Sequence, residues 1–156
     1  MMQFSIHHET GEESKTEGPY LKSMKDTIVK KKSSVSHMVA TEQHVYVLYS
    51  NSSFEILNAE NIEEVVKSVG NMGDIVSFAL SANKKEIWAC DKKGFIQIFS
   101  SEDLSKIDAG KEIKTVYGHP GLSMGSSNDG GSMIVVGDVK GYTTVFDTAS
   151  REQKFY

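Results

Sequence analysis

Asp91-Lys92-Lys93-Gly94 is followed by the alternating run Phe-Ile-Gln-Ile-Phe, and 47 residues later Asp138-Val139-Lys140-Gly141 is followed by Tyr-Thr-Thr-Val-Phe. A chain that writes one turn and one alternating segment twice is repeating a structural unit, and this limits its fold more than any other feature does. Laying Ile75 to Ser100 over Leu122 to Asp147 extends the match. Both read alternating segment, Ser-x-Asn/Asp turn, apolar segment, Asp-x-Lys-Gly turn, alternating segment. A weaker third copy runs from Val35 to Asn58. The last apolar residues of the three copies, Leu57, Phe99 and Phe146, lie 42 and 47 residues apart.

The apolar period is two, and β-branched and aromatic residues fill the segments between turns, so each copy predicts β-strands. In the second copy Ile96 and Ile98 project to one face and Phe95, Gln97 and Phe99 to the other. Two largely apolar faces suit a sheet packed between two neighbours. Gly94 and Gly141 supply the positive φ of a tight strand-to-strand turn, and Asn83-Lys84 and Asp129-Gly130 serve the preceding turn. Fourth strands are expected at Glu64 to Val69, at Glu112 to Gly118, and, cut short, at Glu152 to Tyr156. Helical spacing competes with alternation only over Ala59 to Val69.

Four short antiparallel strands recurring about every 40 to 45 residues are the mark of a β-propeller blade. The segment Val76 to Ser100 resembles the WD-repeat pattern, a Val-x-x-Val-Ala-Phe-Ser strand, a Pro-Asp-Gly turn and a strand ending in Trp-Asp. Gly118-His119 is similar to the Gly-His pair that opens such a repeat. Phe99-Ser100 and Phe146-Asp147 stand in place of Trp-Asp, and Leu57-Asn58 is further from it. The family's turn aspartate falls on Lys93 and Lys140, with Asp91 and Asp138 two positions earlier. The His-Ser-Asp-Trp tetrad of the family is therefore not written at its usual spacing in any copy. Over residues 27–156, the order of Lys25 to Ala40, Val45 to Leu57, Val76 to Ser100 and Lys114 to Pro120 resembles the second propeller of the actin-interacting protein 1 family.

The expected fold is all-β: a partial WD-repeat propeller of about three four-stranded blades whose ring this chain alone does not close. Residues 1–32 would be an N-terminal segment with a mobile acidic loop (His8 to Gly18) and strands of a preceding blade at Gln3 to His7 and Thr27 to Lys31. Residues 33–70 would form a degenerate blade, 71–118 a second, and 119–156 a third, truncated in its fourth strand. Complete propellers have about 4 to 8 blades, and bare sheet edges invite association. A piece of a longer polypeptide is the preferred reading over a ring completed by another chain.

Charge and residue usage narrow the function. A net charge of −4 gives no reason to expect a nucleic-acid partner, and the run Lys30-Lys31-Lys32 reads as a solvated strand end. No apolar stretch reaches about 18 residues and no signal-like segment opens the chain, so a cytoplasmic protein without a membrane role is expected. The sequon Asn51-Ser52-Ser53 carries no weight without export. The single cysteine, Cys90, beside Trp88 and Ala89, reads as a small core packer rather than a reactive thiol.

No catalytic, cofactor or metal site is expected. His7-His8-Glu9 and His37 with His44 lack a second pair at ligand spacing. Gly125 to Met133 is glycine-rich but lies between strands, with no helix start to receive a phosphate. His119 reads as a loop-pinning residue rather than a general base. Asp91 and Asp138 occupy equivalent places in neighbouring blades, too far apart to work as an acid and base pair. Two functional classes remain: a binding scaffold, or a structural subunit inside a larger assembly. For the scaffold, the family resemblance implies actin filaments carrying a cofilin-type factor, filament disassembly, and a cytoskeletal location. With a net negative chain, such binding is expected to vary little with salt.

Overall fold

The computed structural model describes residues 33–127 and 133–155. The expected strands at Gln3 to His7 and Thr27 to Lys31, the acidic loop, the lysine run, His7-His8-Glu9 and the Asp129-Gly130 turn lie outside the described residues. Thirteen strands make up three sheets, and no helix occurs among the described residues. Sheet 1 runs β1 (Val35–Ala40), β2 (His44–Tyr49), β3 (Phe54–Asn58), β4 (Val65–Val69) in that spatial order. Sheet 2 runs β5 (Ile75–Leu80), β6 (Glu86–Asp91), β7 (Phe95–Ser100), β8 (Lys106–Ile107), with β9 (Ile113–Lys114) also paired to β7. Sheet 3 runs β10 (Gly121–Ser126), β11 (Met133–Asp138), β12 (Thr143–Asp147), β13 (Gln153–Phe155). Every pairing is antiparallel; sheets 1 and 3 are simple meanders, and sheet 2 is one up to β7, along which both β8 and β9 lie.

The fourth strands differ in part from expectation. β4 falls within Glu64 to Val69, and the residues before it, 59–64, form turns rather than a helix. In sheet 2 the strand expected over Glu112 to Gly118 is reduced to β9, which pairs with Phe95 and Ile96, while β8 pairs with Ile98 and Phe99. The outer edge is thus shared by two short pieces. Thr115 N–H still donates to the Gly94 carbonyl at 2.9 Å, and the chain then turns toward sheet 3, the turn closed by Gly118 N–H on the Thr115 carbonyl at 3.0 Å.

The repeat is kept down to irregularities. The first strand of each sheet bulges at the same place, between Val35 and His37, Ile75 and Ser77, and Gly121 and Ser123. An extra residue there bends the strand and strengthens its twist. β5 packs against both β1 and β10, so the first strands lie innermost. Their bulges are joined: the Ser77 hydroxyl donates to the Gly121 carbonyl at 2.5 Å, and His37 Nε2 lies 3.0 Å from the Leu122 carbonyl oxygen.

Alternation fills two layers between the sheets. Tyr46, Leu48, Phe54 and Ile56 of sheet 1 meet Ile87, Ala89 and Phe99 of sheet 2. On the opposite face of sheet 2, Trp88, Cys90, Ile96 and Ile98 meet Ile134, Val136 and Phe146 of sheet 3. The two faces read from "FIQIF" are those that pack, and each large apolar side chain removed from water contributes roughly 1.5–3 kcal/mol. Trp88 is fully enclosed, its ring centroid 6.2 Å from that of Phe146. Its indole N–H donates to Glu86 Oε2 at 2.9 Å, and Glu86 Oε1 lies 3.3 Å from Arg151 Nη2 of sheet 3. On the far flank of sheet 3 the positions equivalent to Trp88, Cys90, Ile96 and Ile98 are Val135, Gly137, Thr143 and Val145. These side chains are smaller and none is fully buried.

Candidate functional site

The Asp-x-Lys-Gly turns explain themselves first. Asp91 Oδ1 accepts from the N–H groups of Lys93 and Phe95 at 2.8 and 3.0 Å. Asp138 Oδ1 accepts in the same way from Lys140 and Tyr142, at 2.8 and 3.0 Å. The glycines sit at φ 81° and 88° and close each turn onto the aspartate carbonyl. A carboxylate that satisfies two otherwise orphaned donors, followed by a residue free to take positive φ, is what a tight strand connection needs. In sheet 1 Tyr49 holds the aspartate's place, and Asn51 Oδ1 takes the Ser53 N–H instead, with Ser52 at φ 64°.

The residues that replace Trp-Asp have a similar task one turn later. Asp147 Oδ1 accepts from Ser150 N–H at 2.7 Å, and its Oδ2 lies 2.9 Å from Lys154 Nζ. These bonds, the Ser150 amide foremost, hold its carboxyl at about 2. Ser100 and Asn58 accept from Glu102 and Glu60 at the matching turns.

At the junction of sheets 2 and 3 one turn gains a further partner. His119 Nδ1 lies 3.1 Å from Asp138 Oδ2, whose side chain is almost wholly buried. Burial works to raise the Asp138 carboxyl, but the Tyr142 and Lys140 amides and the His119 ring outweigh it and hold it below the usual range. His119 thus meets Asp138, two positions before Lys140, where the resemblance placed the turn aspartate. The loop carrying His119 is held at several points. Thr115 Oγ1 donates to the His119 carbonyl at 2.7 Å, Val116 N–H donates to Thr144 Oγ1 at 3.3 Å, and Val139 N–H donates to the Pro120 carbonyl at 3.2 Å.

On this fixed base stand three rings. Tyr117 and Tyr142 meet edge to face at a centroid distance of 4.7 Å, and His119 stacks on Tyr142 at 5.9 Å. Tyr117 is 60% exposed and Tyr142 46% exposed, with Val139 at 44% beside them. Lys93 and Lys140, one on each Asp-x-Lys-Gly turn, are exposed at the same end of the sheets. Sequence reasoning assigned no partner-contacting residue and passed over both tyrosines. The available signal was Tyr142 in the place of Phe95, a polar aromatic at a turn.

Cys90 is buried, its sulfur accepts from Gly121 N–H at 3.3 Å, and burial pushes its thiol up to about 11. His37 lies on β1 and His44 on β2, and no group of three or more His, Cys, Asp or Glu suited to a metal ion occurs among the described residues. Asp91 and Asp138 each cap their own turn. No described helix is long and apolar enough to cross a membrane.

Meanders of four short strands, stacked face to face with their first strands innermost, are blades of a WD40-type β-propeller. No protein-family model and no curated protein matches the chain. Solved structures do. Hydrazine synthase of Kuenenia stuttgartiensis matches over 85% of this chain and 38% of its own, with a TM-score of 0.64 and 17% identity. U3-55K matches over 81% and 40%, with a TM-score of 0.67 and 11% identity. The WD40 repeats of RRP9 match over 81% and 39%, also with a TM-score of 0.67 and 11% identity. The chain therefore spans about two fifths of the length of these proteins. At such identities the likeness is one of fold, and it does not single out the actin-interacting protein 1 family.

Proposed function

We propose that this chain is the partner-binding part of a non-catalytic WD-repeat scaffold. Residues 33–70, 71–118 and 119–156 would be three consecutive blades, and the other blades would come from the same or another polypeptide. The observation that carries this reading is the exposed ring cluster of Tyr117, His119 and Tyr142, fixed by bonds from both sheets. Large aromatics on a rigid base lose little entropy on contact, and such residues dominate interface energetics. The two aspartates that could have suggested chemistry are committed to their turns.

The finer reading concerns the partner. The order of degenerate strands that resembles actin-interacting protein 1 supports a cofilin-decorated actin filament as that partner, filament disassembly as the outcome, and a cytoplasmic, cytoskeleton-associated location. Co-sedimentation tests it, using a protein that contains this chain within complete propellers. More protein should pellet with cofilin-decorated filaments than with bare ones, and Tyr117→Ala/Tyr142→Ala should reduce the pelleted fraction at least threefold. A folded protein that pellets with neither filament ends the actin reading and leaves the structural-subunit alternative.

A further inference from the structure

The meander topology sorts the exposed charges into two unlike ends. The β2–β3, β6–β7 and β11–β12 turns share one end with the crossings 70–74 and 115–120. Lys92 Nζ pairs with Asp74 there at 3.2 Å. Among the described residues Lys93 and Lys140 have no carboxylate within pairing distance, and Asp91 and Asp138 are committed to their turns. The opposite end carries the exposed carboxylates of Glu42, Glu60, Glu63, Glu64, Glu102 and Asp103, which outnumber its exposed lysines Lys84 and Lys85. A chain with net charge −4 thus presents its ring cluster at the end that carries the unpaired Lys93 and Lys140.

From this charge separation we propose that the Tyr117–Tyr142 surface binds an acidic polypeptide segment carrying an apolar or aromatic anchor, with Lys93 and Lys140 flanking the anchor. The inference rests on the scaffold reading above and names the chemistry of the partner. Two lysines beside the rings would pair with carboxylates in a partly desolvated setting. A nucleic acid fits less well. Two lysines make a spot rather than the track that a phosphate backbone follows.

Fluorescence anisotropy of the whole 156-residue chain tests the inference with four labelled probes: a twelve-residue Glu/Asp-rich peptide with one central Phe, its Gln/Asn counterpart, its Lys counterpart, and a twelve-nucleotide single strand. The acidic peptide should bind at least tenfold more tightly than the other three and weaken at least threefold between 50 and 150 mM salt. Lys93→Glu/Lys140→Glu should weaken it at least tenfold, and Lys84→Glu/Lys85→Glu, at the opposite end, less than twofold. The buried Trp88 reports by its emission whether each variant is folded. Equal binding of the acidic and Gln/Asn peptides, still lost in Tyr117→Ala, would overturn the charge inference and leave the scaffold surface standing. Tighter binding of the single strand, or equal loss in the Lys84/Lys85 variant, would also overturn it. If no peptide binds folded wild-type chain, or Tyr117→Ala/Tyr142→Ala binds as wild type does, the surface reading itself fails.

Discussion

His119 Nδ1 stands 3.1 Å from Asp138 Oδ2, so that the loop leaving sheet 2 is fastened to the carboxylate that shapes a turn of sheet 3. One side chain thereby serves two sheets. Oδ1 closes the turn that presents Tyr142, and Oδ2 holds the loop that presents Tyr117. His119→Ala should lower the urea midpoint, because Asp138 keeps its burial and loses a partner. His119→Gln, which retains a donor, should recover part of the loss. Equal midpoints for wild type and His119→Ala would show that the backbone bonds at Thr115 and Val139 hold the loop unaided.

Acid should weaken the third sheet in a defined window. Asp147 is held at about 2 against an ordinary 3.8, and Asp138 is also held low. A carboxyl whose folded pKa is depressed contributes stability that is complete above its unfolded value and lost as pH falls through the folded one. Urea midpoints should therefore fall between about pH 4 and pH 2, and Asp147→Asn should flatten that fall. An unchanged pH profile in Asp147→Asn would refute the assignment.

The two turn glycines should answer differently to the same substitution. At Gly141 a Cβ meets nothing within 4 Å, so Gly141→Ala bears only the cost of positive φ, about 1–2 kcal/mol. At Gly94 a Cβ would lie 2.5 Å from Thr115 Oγ1 and 2.6 Å from the Gly118 carbonyl carbon. Backbone must move there, so Gly94→Ala should cost clearly more. Equal denaturant midpoints for the two variants would contradict the packing of the crossing loop.

Core and turn should separate just as clearly. Phe99→Ala empties a site between sheets 1 and 2 and should cost about 3–5 kcal/mol. Lys92→Ala removes one exposed ion pair and should stay within about 0.5 kcal/mol. Similar losses in urea melts would mean that the sheets do not pack through Phe99.

Cys90 should resist thiol reagents at pH 7 to 8 in the folded chain and react at the rate of a free thiol in denaturant. Burial holds its thiol at about 11 and excludes the reagent. Fast labelling of native protein would place Cys90 at the surface.

The open flank of sheet 3 predicts association. Val135, Gly137, Thr143 and Val145 occupy the face that sheets 1 and 2 cover with a neighbour, so the 156-residue chain should bind ANS or self-associate at micromolar concentration. A monodisperse, cooperatively folding monomer by light scattering would show that this flank needs no cover.

The sequence by itself determined the strands, their period and the blade. Alternation directs side chains to two faces wherever a strand forms, and Asp-x-Lys-Gly carries its own turn chemistry within four residues. Both are local, so both could be read. Tertiary structure decided whatever depended on neighbours across sheets. Glu112 to Gly118 became a two-residue strand because the chain turns after Thr115, where Gly118 N–H closes on the Thr115 carbonyl. Asp138 received His119 while Asp91, with the same turn, received none, since only Asp138 faces the loop that carries a histidine. Identical glycines came to differ because Gly94 lies under that loop and Gly141 lies in the open. The charge pattern followed the same rule. A net of −4 gave no reason to expect a nucleic-acid partner, yet the meander places Lys93 and Lys140 together at one end and most exposed turn carboxylates at the other, since turn order decides which residues share an end and composition does not.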